Sequence, residues 1–193
     1  MKFNRLFILV LFLGQIVGAQ NKYEKETRID KADFPDNAFS LIETHLENSK
    51  RIRFYKEVDS TKQSFEVKLK KGKLHYSVEF DIQGALEDVE FEIDVVDIPE
   101  DSWTAIEKYL KSNHSKFRVK KIQQQYPALK DENPSETIRK AFQNLILPEI
   151  NYEIVFSAKT DKGFQEYEGL FNSVGQLITL RKSYPPNYDH ILY

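Results

Sequence analysis

The chain has 193 residues, of which 30% are charged and 40% hydrophobic, with a formal net charge of −2 and no cysteine. A mildly acidic chain lacks the concentrated basic surface that nucleic-acid binding favours, so we expect no nucleic-acid partner. Without cysteine there is no disulfide framework and no thiol chemistry, and stability must come from ordinary core burial.

Residues 1–19 predict a secretory signal peptide. Lys2 and Arg5 precede an apolar run at 6–13, and Val17-Gly18-Ala19 supplies the small residues of a cleavage site. The alternative is a membrane anchor, but the run is shorter than the ~20 residues that a bilayer span requires. We therefore expect a periplasmic or secreted protein that begins at Gln20 and has no membrane span after cleavage.

The next segment, residues 20–32, is polar and lacks periodicity, which predicts a flexible lead-in. A helix is predicted from 33 to 49. Pro35 suits its first turn, and Ala38, Phe39, Ile42 and Leu46 share one helical face.

The segment from 97 to 113 repeats the segment from 33 to 49 at a constant offset of 64. The matched pairs are Asp33/Asp97, Pro35/Pro99, Phe39/Trp103, Ile42/Ile106, Glu43/Glu107 and Leu46/Leu110. A turn pattern, Phe-[Asp/Asn]-x-x-Gly-x-Leu, likewise occurs at 80–86 and again at 171–177. These matches indicate an internal repeat.

Strands with alternating apolar and charged residues follow each predicted helix. In the first copy they lie at 51–57, 65–69, 74–81 and 89–93, and in the second at 116–124, 152–156, 165–171 and 176–182. This alternation is typical of antiparallel strands that cover a core on one side only. Between 126 and 150 the second copy carries an insertion, in which Asn133-Pro134 begins a short amphipathic helix.

The predicted fold is therefore α+β, with two repeats of one helix followed by a four-stranded antiparallel meander and a short extra helix inserted in the second repeat. The repeats span 33–96 and 97–182, and a Tyr/Pro-rich tail follows at 183–193. The pattern leaves open whether the repeats form a pair of sheets or one continuous sheet, and it assigns no role to the insertion.

A helix that begins with Phe-Pro or Ile-Pro and carries Phe39 or Trp103, followed by strands and the repeated turn, resembles the PepSY-like and β-lactamase-inhibitor-like (BLIP-like) exported proteins. These are often built as tandem copies behind a signal peptide. The resemblance covers residues 33–182 and implies a non-enzymatic periplasmic binding or inhibitory module. It carries no catalytic residue over to this chain, and a shared fold does not name a target.

No constellation of residues predicts catalysis, a metal site or a cofactor. The four histidines are scattered singly, and there is no nucleophile elbow or phosphate-binding glycine loop. Asp81 and Asn172 are interpreted as turn residues that bond nearby backbone N–H groups. The alternating Glu90, Glu92 and Asp94 are interpreted as a solvated sheet surface.

The open sheet face of the first repeat is the favoured binding surface, because aromatic residues and arginine commonly anchor such surfaces. Its members are Arg53, Tyr55, Lys68, Lys70, His75, Glu79, Glu90 and Glu92, and the tail tyrosines Tyr184, Tyr188 and Tyr193 form a second candidate. We expect a non-catalytic, inhibitor-like module that binds another exported protein or peptide. The alternatives are a periplasmic glycan-binding or small-ligand-binding protein and, less favoured, an enzyme of unfamiliar type.

Overall fold

The computed structural model describes residues 20–22, 24–59 and 62–183. The predicted signal peptide and the tail residues Tyr184, Tyr188 and Tyr193 lie outside the described residues, so their predicted roles stay predictions. Within the described part of the chain, no helix is both long and apolar enough to cross a membrane.

The described residues form ten β-strands and three α-helices. The strands are β1 (Gln20–Lys22), β2 (Glu24–Ile29), β3 (Lys50–Asp59), β4 (Lys62–Lys71), β5 (Leu74–Asp81), β6 (Leu86–Glu92), β7 (Phe117–Pro127), β8 (Asn151–Thr160), β9 (Gly163–Asn172) and β10 (Leu177–Ser183). The helices are α1 (Asp36–Leu46), α2 (Glu100–Asn113) and α3 (Pro134–Phe142).

All ten strands belong to one sheet, in the order β1-β10-β9-β8-β7-β6-β5-β4-β3-β2. The predicted fold class, two repeats of a helix and a four-stranded meander, is therefore wrong as a description of this architecture. Strands β6 and β7 pair directly, from Asp88 with Pro127 to Glu92 with Gln123. This ladder joins the first half of the sheet, from the predicted repeat at 33–96, to the second half, from the predicted repeat at 97–182. Every neighbouring pair is antiparallel except β1 with β10.

The expectation of a flexible lead-in at 20–32 is also wrong. Strand β1 pairs in parallel with β10, and β2 pairs with β3 from Glu24 opposite Asp59 to Ile29 opposite Phe54. A polar sequence without clear periodicity can still form a strand when a sheet edge offers unpaired N–H and C=O groups.

These two N-terminal strands connect opposite edges of the sheet. Only one residue separates the end of β1 at Lys22 from the start of β2 at Glu24, so those two Cα atoms are at most ~7 Å apart. One strand pairs with β10 and the other with β3, which are the two ends of the remaining order. The sheet therefore curls until one N-terminal stretch bridges its edges, which turns its polar face inward.

The other face of the sheet carries the apolar core beneath the three helices. Ala38 and Ile42 of α1, Ile106 and Leu110 of α2, and Ile138 of α3 are all fully buried. The helix of the insertion begins as predicted, since the Asn133 side chain accepts a hydrogen bond from the Ser135 N–H at 3.0 Å, with Pro134 next in the chain. Its Phe142 ring stacks on Tyr76 of β5 with centroids 4.5 Å apart. The insertion thus packs on a strand of the first half.

The repeated turns have the predicted local chemistry. Asp81 Oδ1 accepts hydrogen bonds from the N–H groups of Gln83 and Ala85, each at 2.8 Å. Asn172 Oδ1 accepts the equivalent bonds from Val174 at 3.2 Å and Gln176 at 2.8 Å. The interpretation of Asp81 and Asn172 as turn residues is confirmed.

Candidate functional site

The inward polar face contains a cleft of about 480 Å³. All eight residues of the predicted binding face line it: Arg53, Tyr55, Lys68, Lys70, His75, Glu79, Glu90 and Glu92. Strand alternation places them there, because Tyr55, Glu66 and Glu79 are register partners on successive strands, as are Lys68, Ser77 and Glu90. The structure thus gathers the predicted residues in one cavity, whereas their role in binding stays a prediction.

The cleft has an exposed rim and a buried floor. Arg53, His75 and Glu92 at the rim are exposed, whereas Glu66 and Glu90 on the floor are only 3% and 5% exposed. The interpretation of Glu90 as part of a solvated surface is therefore wrong. The curl of the sheet covers this carboxylate, which would face water on a flat sheet.

A second cavity, of about 190 Å³, adjoins the first. Five residues line both cavities, and all five are glutamates: Glu57, Glu79, Glu90, Glu153 and Glu168. They come from β3, β5, β6, β8 and β9. We call these five residues the waist glutamates, because they lie where the two cavities meet.

Most of the waist glutamates, and the carboxylates around them, were not among the residues predicted from the sequence. Glu153 and Glu168 belong to the second half, and Glu26 to the segment expected to be flexible. The signal that could have found Glu153 and Glu168 is the same alternation, since each occupies a polar position of a predicted strand. Treating the two halves as separate units hid the fact that their polar faces meet.

Amide side chains donate hydrogen bonds to Glu90 on the floor and to Asp88 in the second cavity. Gln123 Nε2 donates a hydrogen bond to Glu90 Oε2 at 2.7 Å, and Gln125 Nε2 donates to Glu90 Oε1 at 3.0 Å and to Asp88 Oδ2 at 3.3 Å. Asp88 Oδ1 is buried and accepts no hydrogen bond in the described part of the chain. Asp88 also lines the second cavity.

Crowding and burial favour the protonated forms of Asp88 and Glu90. Burial, followed by the charges of Glu153 and Glu87, raises the pKa of Asp88 to about 7, although Lys62 acts in the opposite direction. Burial, followed by the charges of Glu153, Asp88 and Glu79, also raises the pKa of Glu90 well above its ordinary value, against the opposing charge of Lys121. Like charges in a poorly solvated site have this effect.

One group of carboxylates in the described residues has the spacing of metal ligands. An oxygen of each of Glu26, Glu57 and Glu66 lies within 4.8 Å of the other two. Lys68 Nζ lies 2.7 Å from Glu26 Oε2 and 3.0 Å from Glu66 Oε2, and 5.0 Å from the centre of the Tyr55 ring. A metal ion would have to displace this ammonium group, which already neutralises part of the cluster.

Among the described residues, His45, His75 and His114 do not join these carboxylates in an arrangement for nucleophilic catalysis. His75 Nδ1 lies 3.5 Å from Glu92 Oε2 at the rim, whereas the His45 ring lies against Phe142 and the His114 ring against Phe156 on the helix-covered side. Ser77 Oγ on the floor donates its hydrogen bond to Glu66 and contacts no histidine in the described hydrogen bonds. Its bond therefore does not form a nucleophile–base pair with histidine.

No family model matches this chain, and no curated protein matches it. Among solved structures, a BLIP-like protein from Bacteroides fragilis has a TM-score of 0.47 and 13% identity, covering 82% of this chain and 92% of its own. A DUF2874 family protein from Bacteroides ovatus has a TM-score of 0.49 and 10% identity, covering 77% of this chain and 87% of its own. A protein from Bacteroides eggerthii, provisionally described as periplasmic, has a TM-score of 0.49 and 10% identity, covering 77% and 88%.

The BLIP-like part of the resemblance thus has a counterpart among solved structures, while the PepSY-like part stays a prediction. The exported location of this chain rests on residues 1–19. At these identities and TM-scores, the solved structures assign no functional residue, ligand or partner to this chain.

Proposed function

We propose that this chain is a non-catalytic exported protein whose cleft binds an extended segment of another exported protein. The observation that carries the proposal is the lining of the cleft, which combines eight carboxylates with five lysine or arginine side chains. A volume of about 480 Å³ suits a short segment and is too small for a folded domain.

The same lining favours a peptide over a glycan. Sugar binding by stacking would need clustered aromatic rings. Among the described residues that line this cleft, Tyr55 and Tyr76 are the two tyrosines, and the Tyr76 ring stacks on Phe142 on the helix-covered side. Mixed charges instead offer specific partners to the charged groups of a peptide, and electrostatic complementarity of this kind discriminates between partners.

An enzyme is the second candidate, because raised pKa values are also typical of general acids. Glu90 is 5% exposed and both of its carboxylate oxygens accept hydrogen bonds from amide side chains. Such a carboxyl is poorly placed to exchange a proton with a substrate. We therefore favour binding over catalysis for this cleft.

The test is fluorescence anisotropy with the mature protein, beginning at Gln20, and labelled ten-residue peptides of varied charge. Arg53→Glu together with Glu79→Lys reverses one charge at the rim and one at the waist, and should shift the preferred peptide charge pattern. Lys108→Glu, at an exposed position of α2, is the matched control and should leave binding unchanged. Equal binding by the double variant and the wild type would overturn the proposal.

A further inference from the structure

One edge of strand β2 has no strand neighbour in the described part of the chain. Strand β2 pairs along its whole length with β3 and is the last strand in the sheet order. Strand β1 pairs with Arg181, Lys182 and Ser183, where β10 ends, so β10 does not extend alongside β2. The N–H and C=O groups on the far side of β2 are therefore available to another extended chain.

Two of the usual features that protect an edge strand, proline and a bulge, are absent from β2. The strand is six residues long, and its ladder with β3 runs without a change of register. Lys25, Glu26, Thr27 and Arg28 are all exposed, so both faces of this stretch are accessible. Native edge strands are commonly shortened, bent or covered, and β2 is none of these within the described residues.

The cleft lies along the same strand. Glu26 of β2 and Arg53, Tyr55 and Glu57 of β3 line it. The register pairs Glu26 with Glu57 and Arg28 with Tyr55, which places Arg28 on the cleft side of β2. Because side chains alternate along a strand, a chain added at β2 would point every second side chain towards the cleft. Backbone pairing and side-chain recognition can therefore occur together at this edge.

The charges at this border favour an acidic segment. Lys68 neutralises Glu26, since its Nζ lies 2.7 Å from Glu26 Oε2. Arg28 and Arg53, by contrast, have no carboxylate partner within the described residues. Guanidinium groups bind carboxylates through charge-assisted hydrogen bonds, so these two arginines would pair with acidic side chains of a bound segment.

We propose that an acidic, proline-free segment of the partner pairs with β2 as an added strand and directs its carboxylates towards Arg28 and Arg53. This inference rests on the proposed function, and it adds the mode of binding and the charge of the segment. The tail at 184–193 is the competing occupant, because it follows Ser183 directly. Pro185 and Pro186 lack the N–H groups that would continue the β10 ladder along β2, which favours a partner segment.

The experiment is amide hydrogen exchange measured by NMR on the mature protein, beginning at Gln20, with the blocked peptide Ac-Ser-Thr-Glu-Val-Glu-Thr-Glu-Val-Ser-Thr-NH₂. In the free protein we expect the amides of alternate β2 residues to be unprotected, because they point away from β3. Saturating peptide should slow their exchange by about tenfold or more. The amides of β6, in the middle of the sheet, are the control and should not change.

Two modified peptides test the backbone pairing. One carries N-methyl groups on its three glutamates, and the other carries them on the valine, threonine and valine that alternate with the glutamates. A strand pairs with β2 through one of its two edges only. One form should therefore lose about tenfold affinity or more, while the other binds within about threefold of the parent peptide.

Changes of charge test the acidic preference. Replacing the three glutamates of the peptide by glutamine should weaken binding by about tenfold or more. Arg28→Gln should weaken the glutamate peptide and leave the affinity for the glutamine peptide nearly unchanged. Lys108→Gln, at an exposed position of α2, is the matched control and should alter neither affinity. Thermal melting of each variant shows whether it is folded.

Strand addition is overturned if the bound peptide leaves the exchange of β2 unchanged, or if both methylated forms bind alike, whereas segment binding by the cleft then stands. Equal binding of the glutamate and glutamine peptides would overturn the acidic preference. If the β2 amides are already protected in the free protein, the edge is not open, and nuclear Overhauser contacts from β2 to residues 184–193 would identify the tail as its occupant. If no peptide of any charge binds, the proposed function fails together with the inference.

Discussion

Gln123 donates its side-chain N–H to the carboxylate of Glu90 over 2.7 Å, and this bond joins the last strand of the first half to the first strand of the second. Both side chains are buried, at 6% and 5% exposed. The bond therefore acts in a poorly solvated place, where losing a donor leaves a carboxylate oxygen unsatisfied.

We expect Gln123→Ala to lower the free energy of unfolding by about 1–3 kcal/mol, because Glu90 Oε2 loses its donor. Chemical denaturation at pH 7 measures the change. Gln83→Ala, in the exposed turn after β5, is the control and should stay within about 0.5 kcal/mol of wild type. Equal effects of the two substitutions would contradict the role assigned to this bond.

The pH dependence of the free energy of unfolding should reflect the titration of Asp88. Its pKa is about 7 in the folded chain against an ordinary 3.8, so the folded state holds this proton more tightly than the unfolded state. The ionised Asp88 carboxylate therefore destabilises the folded state. This destabilisation is absent below pH 4, grows between the unfolded and folded pKa values and is complete above pH 7.

Asp88→Asn should therefore match wild type at pH 4 and be more stable at pH 8, by roughly 1–4 kcal/mol at about 1.4 kcal/mol per unit of pKa. Comparing variants cancels the contributions of His45 and His114, whose pKa values are lowered by burial and act in the opposite sense. Asp161→Asn, in the exposed β8–β9 turn, should be neutral at both pH values.

The glycines of the repeated turns should tolerate alanine poorly. Gly84 and Gly175 have φ of +76° and +79°, and a Cβ would lie 2.3 Å from Asn37 Oδ1 or from the Ser102 carbonyl oxygen, respectively. Gly72 has φ of +61° but nothing within 4 Å of the added Cβ. Only the first two positions combine backbone strain with a steric clash.

We expect Gly72→Ala to cost about 1–2 kcal/mol from strain alone, and Gly175→Ala about 2–4 kcal/mol. Gly84→Ala should fall between them, because the Asn37 side chain can rotate away whereas the Ser102 backbone cannot. Thermal and urea unfolding of the three variants measure the loss of free energy of unfolding at each glycine. Equal losses at the three positions would contradict the expected order.

The local features of this fold were accessible from the sequence. Alternation located the strands of both halves, and the turn pattern anticipated the bonds made by Asp81 and Asn172. These features depend on neighbours a few residues apart, so a single sequence contains them.

The global features were not accessible from the sequence. Pairing of β1 with β10 and of β2 with β3 depends on edges formed by residues distant in the chain, and no local pattern encodes that closure. The burial of Glu66 and Glu90 follows from the closure and not from their own sequence context. The candidate face was therefore predicted residue by residue, whereas its conversion into a buried acidic cleft was not.

Lys68 neutralises part of a cluster of three carboxylates that would otherwise repel one another. Its ammonium contacts Glu26 and Glu66, and Glu57 lies in the same group, within 4.8 Å. Burial alone would lower the pKa of Lys68, but the charges of Glu66 and Glu26 and their hydrogen bonds raise it, so the charged form persists at neutral pH. Lys68→Ala should lower the free energy of unfolding by roughly 1–3 kcal/mol, since buried Glu66 loses its cation.

The same variant should gain a response to Ca²⁺, because three carboxylates at this spacing resemble the oxygen ligands that calcium prefers. We expect millimolar CaCl₂ to raise the Tm of Lys68→Ala and to leave wild type and Lys70→Ala, two residues along the same strand, nearly unchanged. NaCl at equal ionic strength separates ion binding from general screening. An equal rise in Tm for wild type would mean that calcium binds without displacing the lysine, and the assignment of Lys68 as the resident cation of this cluster would then be wrong.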